Sequence, residues 1–313
     1  MGPASGPADD TPGISAGTVV SLRSGETDQP VPGATITLLG LSQAGMFSTA
    51  YTTDAAGQFR LDRTVLLAST PLLEATAPGF LVRSTTLRPT ELALSLWPAS
   101  SSTGLDELFT STVAYSAATC PAVNTGQAAL RRVPSSTGVV RVSFESTLQD
   151  ATADAAHRLA ISRLNAALGG SPEYQFATPG GAGVSFTAGI DPTISSCTAG
   201  PELFRAATFL NFASDGSISG GRMVFCSLDS ARSAALVLHE LGHTVGLRHS
   251  ASLSDVMYCS SGRPLVFSAR ERLVMKLMRQ RRSGTRWPDN DRQAIAPLNI
   301  DRLGTETIAC GGR

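Results

Sequence analysis

Residues 233–258 read SAALVLHELGHTVGLRHSASLSDVMY, and the chain's chemistry is concentrated there. The apolar run up to about Val245 reads as a helix, with Asp229 placed to cap its start. His239 and His243 are four residues apart, so one helix face carries both imidazoles about one turn apart. Such a pair can grip one zinc ion from the same side. Glu240 stands beside His239 and is expected to point toward the metal's open position without ligating it. A helix that continued would carry residue 249 away. Gly246 can take a left-handed C-cap conformation and turn the chain sharply, which lets His249 return as the third ligand. Three of the four histidines fall in these eleven residues. Five specified residues at this spacing arise by chance in roughly one sequence of this length in ten thousand. The competing readings are three surface histidines without metal, or a zinc site without catalysis. Glu240 argues against the latter, because a purely structural site has no use for it.

The segment HELGHTVGLRH fits the HExxHxxGxxH pattern of the metzincin zinc endopeptidases. Asp255-Val256-Met257-Tyr258 lies just past His249 and resembles that clan's methionine-bearing turn beneath the metal. A tyrosine directly after the methionine, with Cys259 one place later, makes the segment most similar to the matrixin branch. The resemblance covers about residues 139–292. It implies an α+β domain with a twisted mixed sheet, an active-site helix and one catalytic zinc on His239, His243 and His249. It also implies peptide-bond hydrolysis through a zinc-bound water, with Glu240 as general base. By the same resemblance, Ala206–Phe212 is the edge strand on which an extended substrate pairs, and Tyr258–Phe267 walls a side-chain pocket. Two family features are not expected here. His157 alone cannot supply a second, structural zinc. The flanks of Cys120 (AATCPAVNT) do not match a cysteine latency switch. Calcium stays open, since the aspartates form no recognisable loop.

Around this core the chain reads as multidomain. Residues 1–16 are mostly Gly, Pro, Ala, Ser and Asp, with almost no apolar content, and read as a flexible leader. Residues 17–98 hold short alternating runs divided by Gly, Pro and Asp clusters, as in an all-β sandwich. In PGATITLLG, Ala34, Ile36 and Leu38 fall on one face and Thr35 and Thr37 on the other. The order PGATITL, TTDAAGQFRL, ATAPGF resembles the carboxypeptidase regulatory-like modules and implies a fold more than a function. Residues 99–138 read as linker and domain entry, and 139–313 as the peptidase domain. Within it, Asp150–Leu168 reads as a helix whose His157, Ala160, Ile161, Leu164 and Leu168 share one stripe. Ser268-Ala269-Arg270-Glu271 is a capping box opening a further helix. Arg279, Arg281 and Arg282 read as a solvated helix end.

Composition narrows the function. Twenty-five basic residues balance twenty-five acidic ones, which speaks against a nucleic-acid binder. No apolar run reaches membrane-spanning length. Oligomeric state cannot be read from the sequence. Cys120, Cys197, Cys226, Cys259 and Cys310 show no CxxC spacing. One or two disulfides in an exported protein, or buried free thiols, are both open. A secreted or cell-surface location is the expectation, although residues 1–16 are not a signal peptide. The expected partner is a protein or peptide substrate. The rival function is a binding or adhesion protein on a degenerate zinc domain, and a zinc amidase ignoring peptides is a third.

Overall fold

The computed structural model describes residues 12–100, 109, 112, 129–134, 136–178, 183–194, 197, 206–258, 262–286, 288–291 and 306–309. They fall into two compact units, one within 1–99 and 288–292, the other within 100–287 and 293–313.

The first unit is built from strands: β1 (Gly13–Ile14), β2 (Val19–Ser24), β3 (Thr35–Ser42), β4 (Gly45–Thr52), β5 (Gln58–Arg60), β6 (Val65–Leu66), β7 (Leu72–Thr76), β8 (Arg83–Thr86) and β9 (Ala93–Leu96). One sheet runs β1-β6-β3-β7-β8 with β4 also on β3, and a second runs β5-β2-β9. Period-two alternation decides which side chains are internal: Ala34, Ile36 and Leu38 are buried while Thr35 and Thr37 are exposed. They share one core with Leu22 of β2 and Leu94 and Leu96 of β9. At Gly57 (φ 69°) a Cβ would lie 2.6 Å from the Leu22 carbonyl oxygen, so the turn after Asp54 needs glycine. Part of the expected leader is ordered. Gly13–Ile14 pairs antiparallel with Val65–Leu66, and burial of the Ile14 side chain in the core supplies the reason. Pro288–Asp291, inside the span 139–313 expected as the peptidase domain, instead pairs with β8. The Ser84 amide donates to the Asp289 carbonyl (2.9 Å), and the Asp291 amide to that of Ser84 (3.0 Å).

The second unit carries a six-stranded mixed sheet. Its strands are β10 (Val139–Phe144), β11 (Glu173–Phe176), β12 (Ser185–Ile190), β13 (Ala206–Phe212), β14 (Ile218–Phe225) and β15 (Glu306–Ala309). The order is β11-β10-β12-β14-β13-β15. The first four strands are mutually parallel, and β13 runs antiparallel to both neighbours. Helix α1 (Ala151–Leu168) connects β10 to β11, capped by Asp150 at its start and Gly169 at its end. Its stripe is internal as the spacing requires: His157, Ala160, Ile161, Leu164 and Leu168 are all buried. Asn165 ties α1 to β11, donating to the Tyr174 carbonyl and accepting from its amide, each at 2.8 Å.

The helix expected from Asp229 to Val245 is two helices, α2 (Leu228–Arg232) and α3 (Ala234–Thr244). Ser227 caps the first and Ser233 the second. Asp229 is a first-turn residue instead of a cap, and Ser233 in extended backbone breaks the run. Serine competes with helical backbone hydrogen bonding, which suits it to such a junction. Helix α3 packs on α1 and β13. Helix α4 (Ala269–Arg279) opens with the expected capping box on Ser268 and Glu271. Beyond it the arginines are not a solvated end. Arg281 is buried, and Arg279 donates to the carbonyls of Leu168 and Ser171. The carbonyls at and just after the end of α1 explain why Arg279 is drawn inward.

Candidate metal centre

Helix α3 presents His239 and His243 on one face. The chain then reverses: the Gly246 amide donates to the His243 carbonyl (2.9 Å), and the Leu247 amide to that of Gly242 (3.1 Å). Gly246 has φ 103°. The Arg131 carbonyl oxygen would lie 2.0 Å from a Cβ there, so glycine is needed both for conformation and for room. The turn returns His249 to the two helical histidines. His243 Nε2 lies 3.2 Å from His239 Nε2 and 3.1 Å from His249 Nε2. The three ligand atoms lie within 4.8 Å of one another.

These imidazoles fit a metal. His239 Nδ1 lies 2.8 Å from the Val256 carbonyl oxygen, and His243 Nδ1 lies 2.9 Å from that of Leu247. A carbonyl only accepts, so both Nδ1 atoms carry the proton and both Nε2 atoms are bare lone pairs. Two bare nitrogens 3.2 Å apart repel unless a cation lies between them. A tetrahedral zinc site with Zn–N bonds of about 2.0–2.1 Å sets its nitrogens about 3.3–3.4 Å apart. The two close pairs approach that value. Burial keeps the rings neutral: it pushes His243 down to about 3, and His239 and His249 well below the ordinary histidine range. Neutral imidazole is the form that ligates.

Glu240 is buried next to the trio and outside it. Burial pushes its carboxyl up to about 7, opposed by a hydrogen bond from Thr208 and the positive charge of Arg263. Thr208 of β13 donates through Oγ1 to Glu240 Oε2 at 2.6 Å. The strand therefore holds the carboxylate in place. Arg263 is anchored by Nε to the Tyr258 carbonyl at 2.7 Å.

Beneath the histidines Met257 is fully buried. A Cβ at Gly242 would fall 2.3 Å from its sulfur, so the glycine in HELGH is room for the methionine. Glu271 secures this turn, accepting from the amides of Met257 (2.8 Å) and Ser268 (2.7 Å). Asp255 accepts from Ser268 Oγ at 2.7 Å and from Ser250 and Arg270. The Val256 carbonyl that orients His239 belongs to the same turn.

The structure thus brings together His239, His243, His249, Glu240 and Met257. His157 is elsewhere, packed edge-on to Phe144 and Phe225 (centroids 4.8 and 5.4 Å), with Nδ1 2.8 Å from the Ala153 carbonyl. Thr208, Arg263 and the second role of Glu271 escape the sequence, where a strand threonine and a loop arginine carry no spacing signal. Strand β13 is not an edge as expected. It pairs with β14 on one side and β15 on the other. Cys197 and Cys226 form a disulfide. Cys120, Cys259 and Cys310 lie outside the described residues, as does part of the expected Tyr258–Phe267 wall. No described helix is long and apolar enough to cross a membrane.

No protein-family model matches the chain, and no curated protein matches it. Among solved structures it is similar to metalloproteinase-II from Bacteroides fragilis, at 9% identity and a TM-score of 0.31, over 80% of this chain and 93% of that one. So distant a likeness carries no argument, and the functional reading rests on the residues above.

Proposed function

We propose that the chain is a zinc-dependent endopeptidase of the metzincin type, closest to the matrixin branch, acting on extended peptides. The observation that carries this is the convergence of three buried Nε2 atoms beside a buried, separately held carboxylate. Zinc held by His239, His243 and His249 supplies a Lewis acid that polarises a carbonyl and acidifies water. The chain's own residues do the rest. Val256 and Leu247 carbonyls fix two of the imidazole tautomers. Thr208 engages Oε2 of Glu240, which leaves Oε1 to take a proton from the attacking water. The same oxygen returns that proton to the amine as the C–N bond breaks. Met257 fills the space under the ligands and stiffens the turn that bears Val256.

The first unit is proposed as a carboxypeptidase regulatory-like spacer or adhesion module. The disulfide between Cys197 and Cys226 favours an oxidising, secreted or cell-surface setting.

The deciding experiment is digestion of a peptide library with mass-spectrometric mapping, with and without a chelator and added zinc. Glu240→Gln should retain one equivalent of zinc and lose about 10²–10⁴-fold in turnover. Near-normal hydrolysis by that variant refutes the mechanism. Tight peptide binding without turnover by the unaltered protein supports the adhesion reading instead.

A further inference from the structure

The strand that positions Glu240 is the one whose outer edge is taken. Thr208 lies in β13 and holds the Glu240 carboxylate through its side chain at 2.6 Å. The peptidase reading sets an extended substrate along β13, the strand expected from the resemblance to pair with it. The inner side of β13 is filled by β14 over Ala206–Phe212. The outer side is filled over Ala207–Leu210 by β15, which runs antiparallel with Ile308 opposite Thr208 and Thr307 opposite Phe209. Neighbouring strands lie about 4.8 Å apart, so the backbone of Thr307–Ala309 lies one strand spacing from the residue that holds Glu240. The sheet's far end, β11, is four strands removed from β13 and pairs with β10. Among the described residues the sheet's other end is β15 itself.

Two features make β15 an exchangeable occupant. It is four residues long, and among the described residues β13 is its one strand partner. Ladder hydrogen bonds use backbone groups that every extended peptide carries, so a peptide of different sequence can make the same bonds.

We propose that Glu306–Ala309 holds the outer edge of β13 in cis as a built-in competitor of an extended substrate. This rests on the peptidase reading for its purpose, although occupancy of the edge can be measured without turnover. A tethered strand competes at an effective concentration in the millimolar range. Removing it raises apparent affinity for free peptides without altering the chemistry at Glu240.

The test uses zinc-loaded protein carrying Glu240→Gln, to separate binding from cleavage. Its probe is a fluorescent, end-blocked peptide of sequence TETIA. Three forms are compared: the full chain, a chain ended at Thr305, and the full chain with Thr307→Pro and Ile308→Pro. Successive N–H groups of a strand point to opposite sides, so one of the two prolines removes a ladder bond to β13. Both altered forms are expected to bind the probe about tenfold more tightly than the full chain. With Glu240 restored, KM for peptides should fall by a similar factor while kcat stays within about twofold. In the unaltered chain, excess probe should speed hydrogen exchange at Thr307–Ala309, which keeps the test independent of how the variants fold. Equal probe affinity in all three forms, or no change in exchange, overturns the proposal and makes β15 a permanent sheet strand. Tighter probe binding with no turnover in any form supports the proposal and refutes the peptidase reading. Turnover with an unchanged KM does the reverse.

Discussion

Gly246→Ala tests whether the turn after α3 builds the metal centre or merely follows it. Two costs are superposed at this position. The first is conformational: φ is 103°, a region that costs an L-residue about 1–3 kcal/mol. The second is steric. The Arg131 carbonyl oxygen would lie 2.0 Å from the new Cβ, and the Met278 terminal methyl 2.9 Å from it. Backbone or turn must then move by about 1 Å, an overpacking cost of about 1–3 kcal/mol. Together about 2–6 kcal/mol is expected. The displacement falls on a turn whose Leu247 carbonyl holds His243 Nδ1 at 2.9 Å and which leads directly into His249. Metal affinity should therefore drop about 10–100-fold, as when an outer-shell partner of a ligand is lost. The control is Gly169→Ala. That residue also has positive φ (67°), but nothing lies within 4 Å of a Cβ there. It should lose about 1–2 kcal/mol and leave metal binding alone. Denaturant unfolding of the metal-free protein measures the first quantity, and zinc competition against a chromophoric chelator the second. If Gly246→Ala matches Gly169→Ala in both, the close approach to Arg131 does not constrain the site and the reasoning fails.

Other consequences are as definite. His157 is buried and its pKa is pushed down to about 4 by desolvation. The folded state therefore binds fewer protons than the unfolded state between pH 6.5 and 4. Its stability contribution is whole above pH 6.5 and falls by about 3 kcal/mol as the pH drops through that window; His157→Phe should flatten that part of the profile. Thr208→Val removes the hydrogen bond to Glu240. Zinc stoichiometry should hold while turnover falls by about 1.5–3 kcal/mol, or roughly 10–100-fold, and unchanged kcat would discount the anchoring role. The Cys197–Cys226 bond closes a separation of 29 residues. Its reduction should cost about 3–4 kcal/mol by the loop-entropy relation, read as a lower denaturation midpoint with reductant. Gly242→Ala must displace Met257, and should lower the melting temperature of the metal-free protein before it affects peptide preference.

The sequence discloses what local spacing encodes and hides what tertiary contact decides. His239 and His243 are legible because helical periodicity alone sets them on one face, and His249 because Gly246 is the residue that permits the return. Ala34, Ile36 and Leu38 are legible for the same reason with a period of two. The break at Ser233 is less visible, because apolar residues on both sides of it continue a helical pattern and only the fold shows its hydroxyl accepting from the Leu236 amide. Arg281 is hidden altogether: a cluster of arginines after a helix ordinarily faces water, and only packing reveals a buried one. Strand β15 is the extreme case. Glu306-Thr307-Ile308-Ala309 has neither length nor alternation enough to announce a strand, and its pairing with Ala207–Leu210 spans nearly a hundred residues. Backbone complementarity recruits it, and backbone complementarity leaves no mark on side-chain identity. The same indifference is what would let a substrate replace it: an edge that accepts ETIA through its amides and carbonyls has no chemical means of refusing another extended chain.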